Sequence, residues 1–299
     1  MKNYSNYESV KNIIKIEKIL AEVGLTNQFN SGRFSIYKKQ IVNFERDIRK
    51  SRPHVQDIRY AQSQKEFFDL DSIIDLVPEI MNNLDSGKQK RLVGKISTSL
   101  GGLPNPNGET ERTRKARDTL FELVVLSSFF KSGIKDVDIR DNPDIRMITS
   151  NNIFSIECKR ISGEYEKKIN DMSRQGVKQL KLYSGDSMGF VAIDMSKMFL
   201  NGKYGLFRDS EKINLEKHLR DFMVSDISKA YQYLLKLDRV YEGDNTLGII
   251  GYMSLPTIQM DVGSSQRLAP FQTQLFNIEK RSNKNSIISD LSVFLGVRS

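Results

Sequence analysis

The chain has 299 residues, 38% of them hydrophobic and 28% charged, which is enough for one large domain or two smaller ones. Lys and Arg outnumber Asp and Glu by 46 to 37, a formal charge of +9 with a pI near 9.4, and that balance suits a partner rich in phosphates. A single cysteine excludes an internal disulfide and a cysteine-cluster metal site, and two distant histidines, His54 and His218, argue against a His-based one. Any metal would therefore be held by carboxylates, which favours magnesium or manganese over zinc. No apolar run is long enough for a membrane span, and the N-terminus lacks an apolar signal core, so a cytoplasmic protein is expected.

Residues 1 to about 96 read as mostly helical. Val10, Ile13, Ile14, Ile16, Ile19, Leu20 and Val23 recur at helical spacing, and Gly24 is a stop. A second helix is expected over Ile36 to Ile48, ending before Pro53. A third is expected from about Ser63 to Met81, broken or kinked at Pro78. Basic residues crowd this region: Lys38, Lys39, Arg46, Arg49, Lys50 and Arg52, then Lys88, Lys90, Arg91 and Lys95. They read either as a phosphate-gripping arm or as solvated helix faces.

Gly101 to Gly108, crowded with Gly, Pro and Asn, is the strongest break in the chain. It separates a helical region, 1–100, suited to gripping DNA or to oligomerisation, from a second region, 109–299. The secondary reading is an ordered loop over the active site, since such loops often carry function. Glu111 to Lys131 reads as a helix stopped by Gly133, with Leu120, Leu123, Val124, Leu126 and Phe130 on a broad apolar face. Within it Glu122 is enclosed by apolar neighbours, which is costly for a carboxylate unless it is paired or binds a metal. Arg114, Lys115, Asp118 and Glu122 also continue one polar face.

Two β segments follow: Ile145 to Thr149 and Ile153 to Arg160, joined by Ser150-Asn151-Asn152. Alternation puts Phe154, Ile156 and Cys158 on one face and Ser155, Glu157 and Lys159 on the other. Glu157 and Lys159 thus stand together, one strand from Asp144. A helix over Glu164 to Tyr183 carries Gln175, Gln179 and Tyr183 on one side, with Gly176 inside it, tolerable where a helix packs closely on a sheet. Gly189 to Asp194 and Thr246 to Met253 read as buried strands, Leu215 to Leu237 as a long helix, Phe271 to Ile278 as an edge strand, and Ile287 to Leu295 as a last strand or helix. Strands alternating with helices imply an α/β core around a mixed sheet.

Pro143-Asp144, followed after twelve residues (157 − 144 = 13) by Glu157-Cys158-Lys159, resembles the motif of the PD-(D/E)XK nuclease superfamily. Gln179-Leu180-Lys181-Leu182-Tyr183 resembles the Gln-x-x-x-Tyr signature of its RecB-like branch. The resemblance covers roughly Thr113 to Met195. It implies a restriction-endonuclease-like mixed sheet flanked by helices and a metal-dependent nuclease, with DNA as the first expected substrate and RNA still open. Asp144, Glu157 and the Cys158 backbone carbonyl would hold Mg²⁺ or Mn²⁺, with Glu122 completing the set and Lys159 serving catalysis. Gln175, Gln179 and Tyr183 would position the nucleic acid. The biological setting it suggests is restriction or anti-phage defence. The alternative is a binding or regulatory subunit of a larger assembly, with a silent site; a homo-oligomer or a partner subunit fits either. No Gly-x-x-x-x-Gly-Lys loop is present, which disfavours an ATP-driven enzyme.

Overall fold

The computed structural model describes residues 4–49, 58–105, 108–149, 152–161, 166–183, 188–196, 206–208, 228–229, 232–234, 246–255, 258–260, 266–268 and 271–278. His54, His218 and the elements expected near Ile287 to Leu295, and most of that expected over Leu215 to Leu237, lie outside them.

A two-residue strand β1 (Tyr4–Ser5) leads into α1 (Asn6–Glu22), which ends before Gly24. Gly24 has φ of 76°, the left-handed region that glycine enters without a steric penalty. A short helix α2 (Thr26–Ser31) precedes α3 (Arg33–Arg49) and α4 (Ile58–Ile74). The helix expected from about Ser63 to Met81 is broken, as Pro78 suggested, but the break falls at residues 75–76, just ahead of the proline. Pro78 falls in the first turn of α5 (Val77–Asn83), where its missing N–H costs nothing. Asp85 caps α6 (Ser86–Leu100) by accepting from the Lys88 N–H. Thr110 caps α7 (Glu111–Lys131) in a reciprocal box with Thr113.

The main sheet is built from β2 (Val137–Ile139), β3 (Ile145–Ile148), β4 (Ile153–Arg160), β5 (Met188–Asp194), β7 (Thr246–Leu255) and β10 (Phe271–Ile278), with α8 (Glu166–Tyr183) between β4 and β5. Its order is β10-β7-β5-β4-β3-β2. β4, β5 and β7 run parallel; β2–β3, β3–β4 and β7–β10 are antiparallel. The fold is thus mixed α/β with a mixed sheet flanked by helices. A smaller sheet, β1-β9-β8-β6, uses β6 (Leu206–Arg208), β8 (Ile258–Met260) and β9 (Gln266–Leu268).

One face of the main sheet, with Phe154, Ile156, Phe190, Ala192 and Ile250, joins a cluster of buried apolar side chains that continues through α7 into Ile96, Leu70, Phe34 and Ile16 of the N-terminal helices. The other face, with Val191, Ile193 and Ile249, buries Ile169, Val177 and Leu180 of α8. A Cβ on Gly176 would lie 2.6 Å from Val191 Cγ1, so only glycine lets α8 approach β5 this closely. On the first face, apolar packing runs unbroken across the loop at Gly101 to Gly108.

That loop is held by buried cations. Arg33 donates to the carbonyls of Ser99 and Gly101, Arg117 to those of Leu103 and Pro104, and the Tyr37 hydroxyl to Pro104. Both guanidiniums close on Glu66, at 2.6 Å each. Burial opposes the Glu66 charge, but Arg33 and Arg117 outweigh it and hold the carboxyl well below the usual range.

Candidate active site

The site forms where β3 and β4 part. Their pairing ends at Ile145 opposite Ile156, while β4 continues to Arg160 alongside β5. Past that point, the edge of β4 that β3 has left faces Asp144. The Cys158 N–H donates to Asp144 Oδ2 at 2.7 Å, so a carboxylate takes the place of the next rung of the ladder. The N–H and C=O of one strand residue point the same way, so the Cys158 carbonyl faces this edge as well. The Cys158 side chain lies in the core with Phe154 and Ile156, as alternation predicts. Burial, then Asp144, Glu122 and Glu157, push its thiol well above the ordinary value, which disqualifies it as a nucleophile.

Glu157 and Lys159 project from the opposite face of β4. Lys159 Nζ donates to Glu157 Oε1 at 2.6 Å, and the Glu157 side chain is only 2% exposed. Its other oxygen, Oε2, is buried without a hydrogen-bond partner among the described residues. Burial first, and Asp144 second, push the Glu157 carboxyl up to about 7 against the pull of Lys159. α7 brings Glu122 to the same place. Burial and Asp144 push Glu122 up to about 7 as well, against the pull of Lys95. Asp144 is raised by burial, opposed by the Cys158 N–H, Lys95 and Lys159. Three carboxylates of distant sequence origin therefore share one low-dielectric site and compete for charge.

Lys95, from α6, supplies a positive group that sequence reasoning did not assign here. Its Nζ donates to Glu122 Oε2 at 2.5 Å, and both side chains are 15% exposed. Burial works against the Lys95 charge, but Glu122 and Asp144 outweigh it and raise its affinity for the proton. In sequence Lys95 is one of several basic residues on a helix, and only the packing of α6 on α7 singles it out. Its neighbours Lys88 and Arg91 pair with Asp136 and Asp138, so part of the basic run is already neutralised within the chain. Beyond Lys159, Arg160 is held by Glu109 and Asp118 at 2.9 Å each.

Gln175 on α8 is exposed and Gln179 is half-buried; neither hydrogen-bonds to the carboxylates among the described residues. The side chain of Tyr183 lies outside the described residues. No group of three or more His, Cys, Asp or Glu side chains among the described residues is spaced to hold a metal ion. Within the cluster Lys95 pairs with Glu122, Lys159 pairs with Glu157, and the Cys158 N–H donates to Asp144. The donors nevertheless suit a hard cation: they are oxygens, they repel one another, and Glu157 Oε2 has an unmet demand for positive charge.

Fold and site together define an α/β protein with a buried carboxylate–lysine cluster at the C-terminal end of a parallel strand, the end where such sheets bind ligands. The chain matches no protein-family model, no curated protein and no solved structure. Among the described residues no helix is long and apolar enough to cross a membrane.

Proposed function

We propose that the protein is a metal-dependent nuclease that hydrolyses phosphodiester bonds, in DNA first, with its centre at Asp144, Glu157 and Lys159. The observation that carries the reading is the buried Glu157 Oε2, which has no hydrogen-bond partner among the described residues and lies within electrostatic reach of Asp144. A buried acceptor without a donor is destabilising unless function requires it. Here a cation shared with Asp144 and the Cys158 carbonyl would satisfy it. Bound magnesium or manganese would acidify a coordinated water and offset the charge that develops on phosphorus.

The chain's own groups do the rest. Asp144 is oriented by the Cys158 N–H, so one of its oxygens is committed to the strand and the other is left for the ligand. Lys159 holds Glu157 in place in the resting site. With substrate present its ammonium would turn to the attacked phosphate and stabilise the extra negative charge there. The low dielectric that raises the carboxyls also strengthens each of these attractions. The excess of basic residues suits a polyanionic substrate. A role in restriction or anti-phage defence, and a cytoplasmic location, belong to this proposal.

The test is a substrate panel of supercoiled, linear and single-stranded DNA and of RNA, incubated with magnesium, with manganese and with chelator. Cleavage confined to the metal-containing arms supports the reading. Binding without cleavage in every arm would instead identify a binding or regulatory subunit with a silent site.

A further inference from the structure

This inference rests on the nuclease reading and concerns how many cations the site takes. Three carboxylates could hold two divalent ions side by side, the arrangement that clamps both attacking and leaving oxygens. The charges argue otherwise. Even with all three carboxylates ionised, Glu122, Asp144 and Glu157 contribute −3 against +2 from Lys95 and Lys159, leaving −1 before any ligand. One divalent ion brings the site to +1, which a phosphodiester neutralises; two would leave +3 in a largely buried space.

The geometry agrees. Lys95 comes from α6, outside the region that carries the sheet, and is tethered to Glu122 by a direct ion pair with both side chains mostly buried. Asp144 lies within electrostatic reach of both ammonium groups, Lys95 from the α7 side and Lys159 from β4. Lys159 pairs with Glu157 and Lys95 with Glu122, so Lys95 occupies the carboxylate that a second ion would need.

We propose that Lys95 stands in for a second metal: the site binds one divalent ion, between Asp144 and Glu157, while Glu122 holds the Lys95 ammonium as the second positive group facing the phosphate. Glu122 is then a positioning residue for Lys95 and not a ligand. The N-terminal helices become part of the site and not a separate arm.

Manganese bound per chain, counted by equilibrium dialysis and electron paramagnetic resonance, tests this in full-length wild-type protein and in Glu122→Gln, Asp144→Asn, Lys95→Met and Lys95→Arg. Expected is one ion in the wild type, retained at similar affinity in Glu122→Gln and lost in Asp144→Asn. Lys95→Met should keep the ion yet cleave roughly 100-fold more slowly, with Lys95→Arg recovering much of the rate. Two ions in the wild type, loss of the ion in Glu122→Gln, or wild-type cleavage by Lys95→Met would each overturn the inference while leaving the nuclease reading standing. If Lys95→Met does not fold, the Glu122→Gln count decides. No ion in the wild type at millimolar manganese is a different failure and removes the nuclease reading itself.

Discussion

Replacing Glu157 by Gln should stabilise the metal-free protein at alkaline pH. The folded chain holds the Glu157 proton up to about pH 7, whereas the ordinary glutamate value is 4.5. The folded state therefore binds the proton more tightly than the unfolded state. The associated stability is complete below pH 4.5 and is lost as pH rises through about 7. At ~1.4 kcal/mol for each tenfold difference in proton affinity, the loss by pH 8 is about 3 kcal/mol. The side chain is nearly inaccessible, so solvent screening takes little of that away. Gln cannot ionise and avoids the loss, and the pull of Lys159 already acts on the carboxyl that titrates near 7, so it adds no separate cost. The net expectation is a gain of about 3 kcal/mol at pH 8 and under about 1 kcal/mol at pH 5. Urea unfolding from pH 5 to 9 in chelator measures it. Saturating magnesium at about 100 times its dissociation constant adds about 2.7 kcal/mol to a protein that binds it only when folded. Wild type should gain that increment and Glu157→Gln should not, so metal closes most of the gap between them at pH 8. Parallel pH–stability curves for the two proteins, or equal gains from magnesium, would refute the reasoning.

Glu66→Gln should destabilise the fold by about 3–5 kcal/mol in urea titrations, because it strands the buried Arg33 and Arg117 guanidiniums. An effect under about 1 kcal/mol would mean that the loop is held by something else. Gly176→Ala adds a Cβ 2.6 Å from Val191 Cγ1 and should cost about 1–3 kcal/mol despite the better helix propensity of Ala. Val191→Ala in the same chain should recover part of that cost, and simple additivity of the two changes would contradict the packing argument.

Much of the architecture near the site was legible because it depends on local signals. The helix over Glu111–Lys131 keeps its expected bounds, with Thr110 to cap it and Gly133, at φ of 99°, to end it. The alternation of Ile153–Arg160 separates Cys158 from Glu157 and Lys159 as read from the sequence. The elements that escaped are those whose reasons are distant. α2 holds a single apolar residue, Phe29, too few to register a period. β1, β6, β8 and β9 are two or three residues each and are defined only by their pairing. Gly101 to Gly108 reads as a linker because Gly, Pro and Asn carry no sign that buried arginines will hold their carbonyls. Lys95 is the instructive miss within the site. A lysine among lysines acquires its role only when α6 packs on α7 and sets it against Glu122, 27 residues later in the chain.

The central claim is that this cluster turns a divalent cation into phosphodiester hydrolysis. Its most direct test is supercoiled-plasmid cleavage in magnesium by wild type, Asp144→Asn and Lys159→Met, each first shown to unfold cooperatively and to bind the DNA. The account predicts nicking by wild type, stopped by chelator, and losses of at least about 100-fold in both variants at little-changed DNA affinity. Cleavage at the wild-type rate by either variant would contradict it.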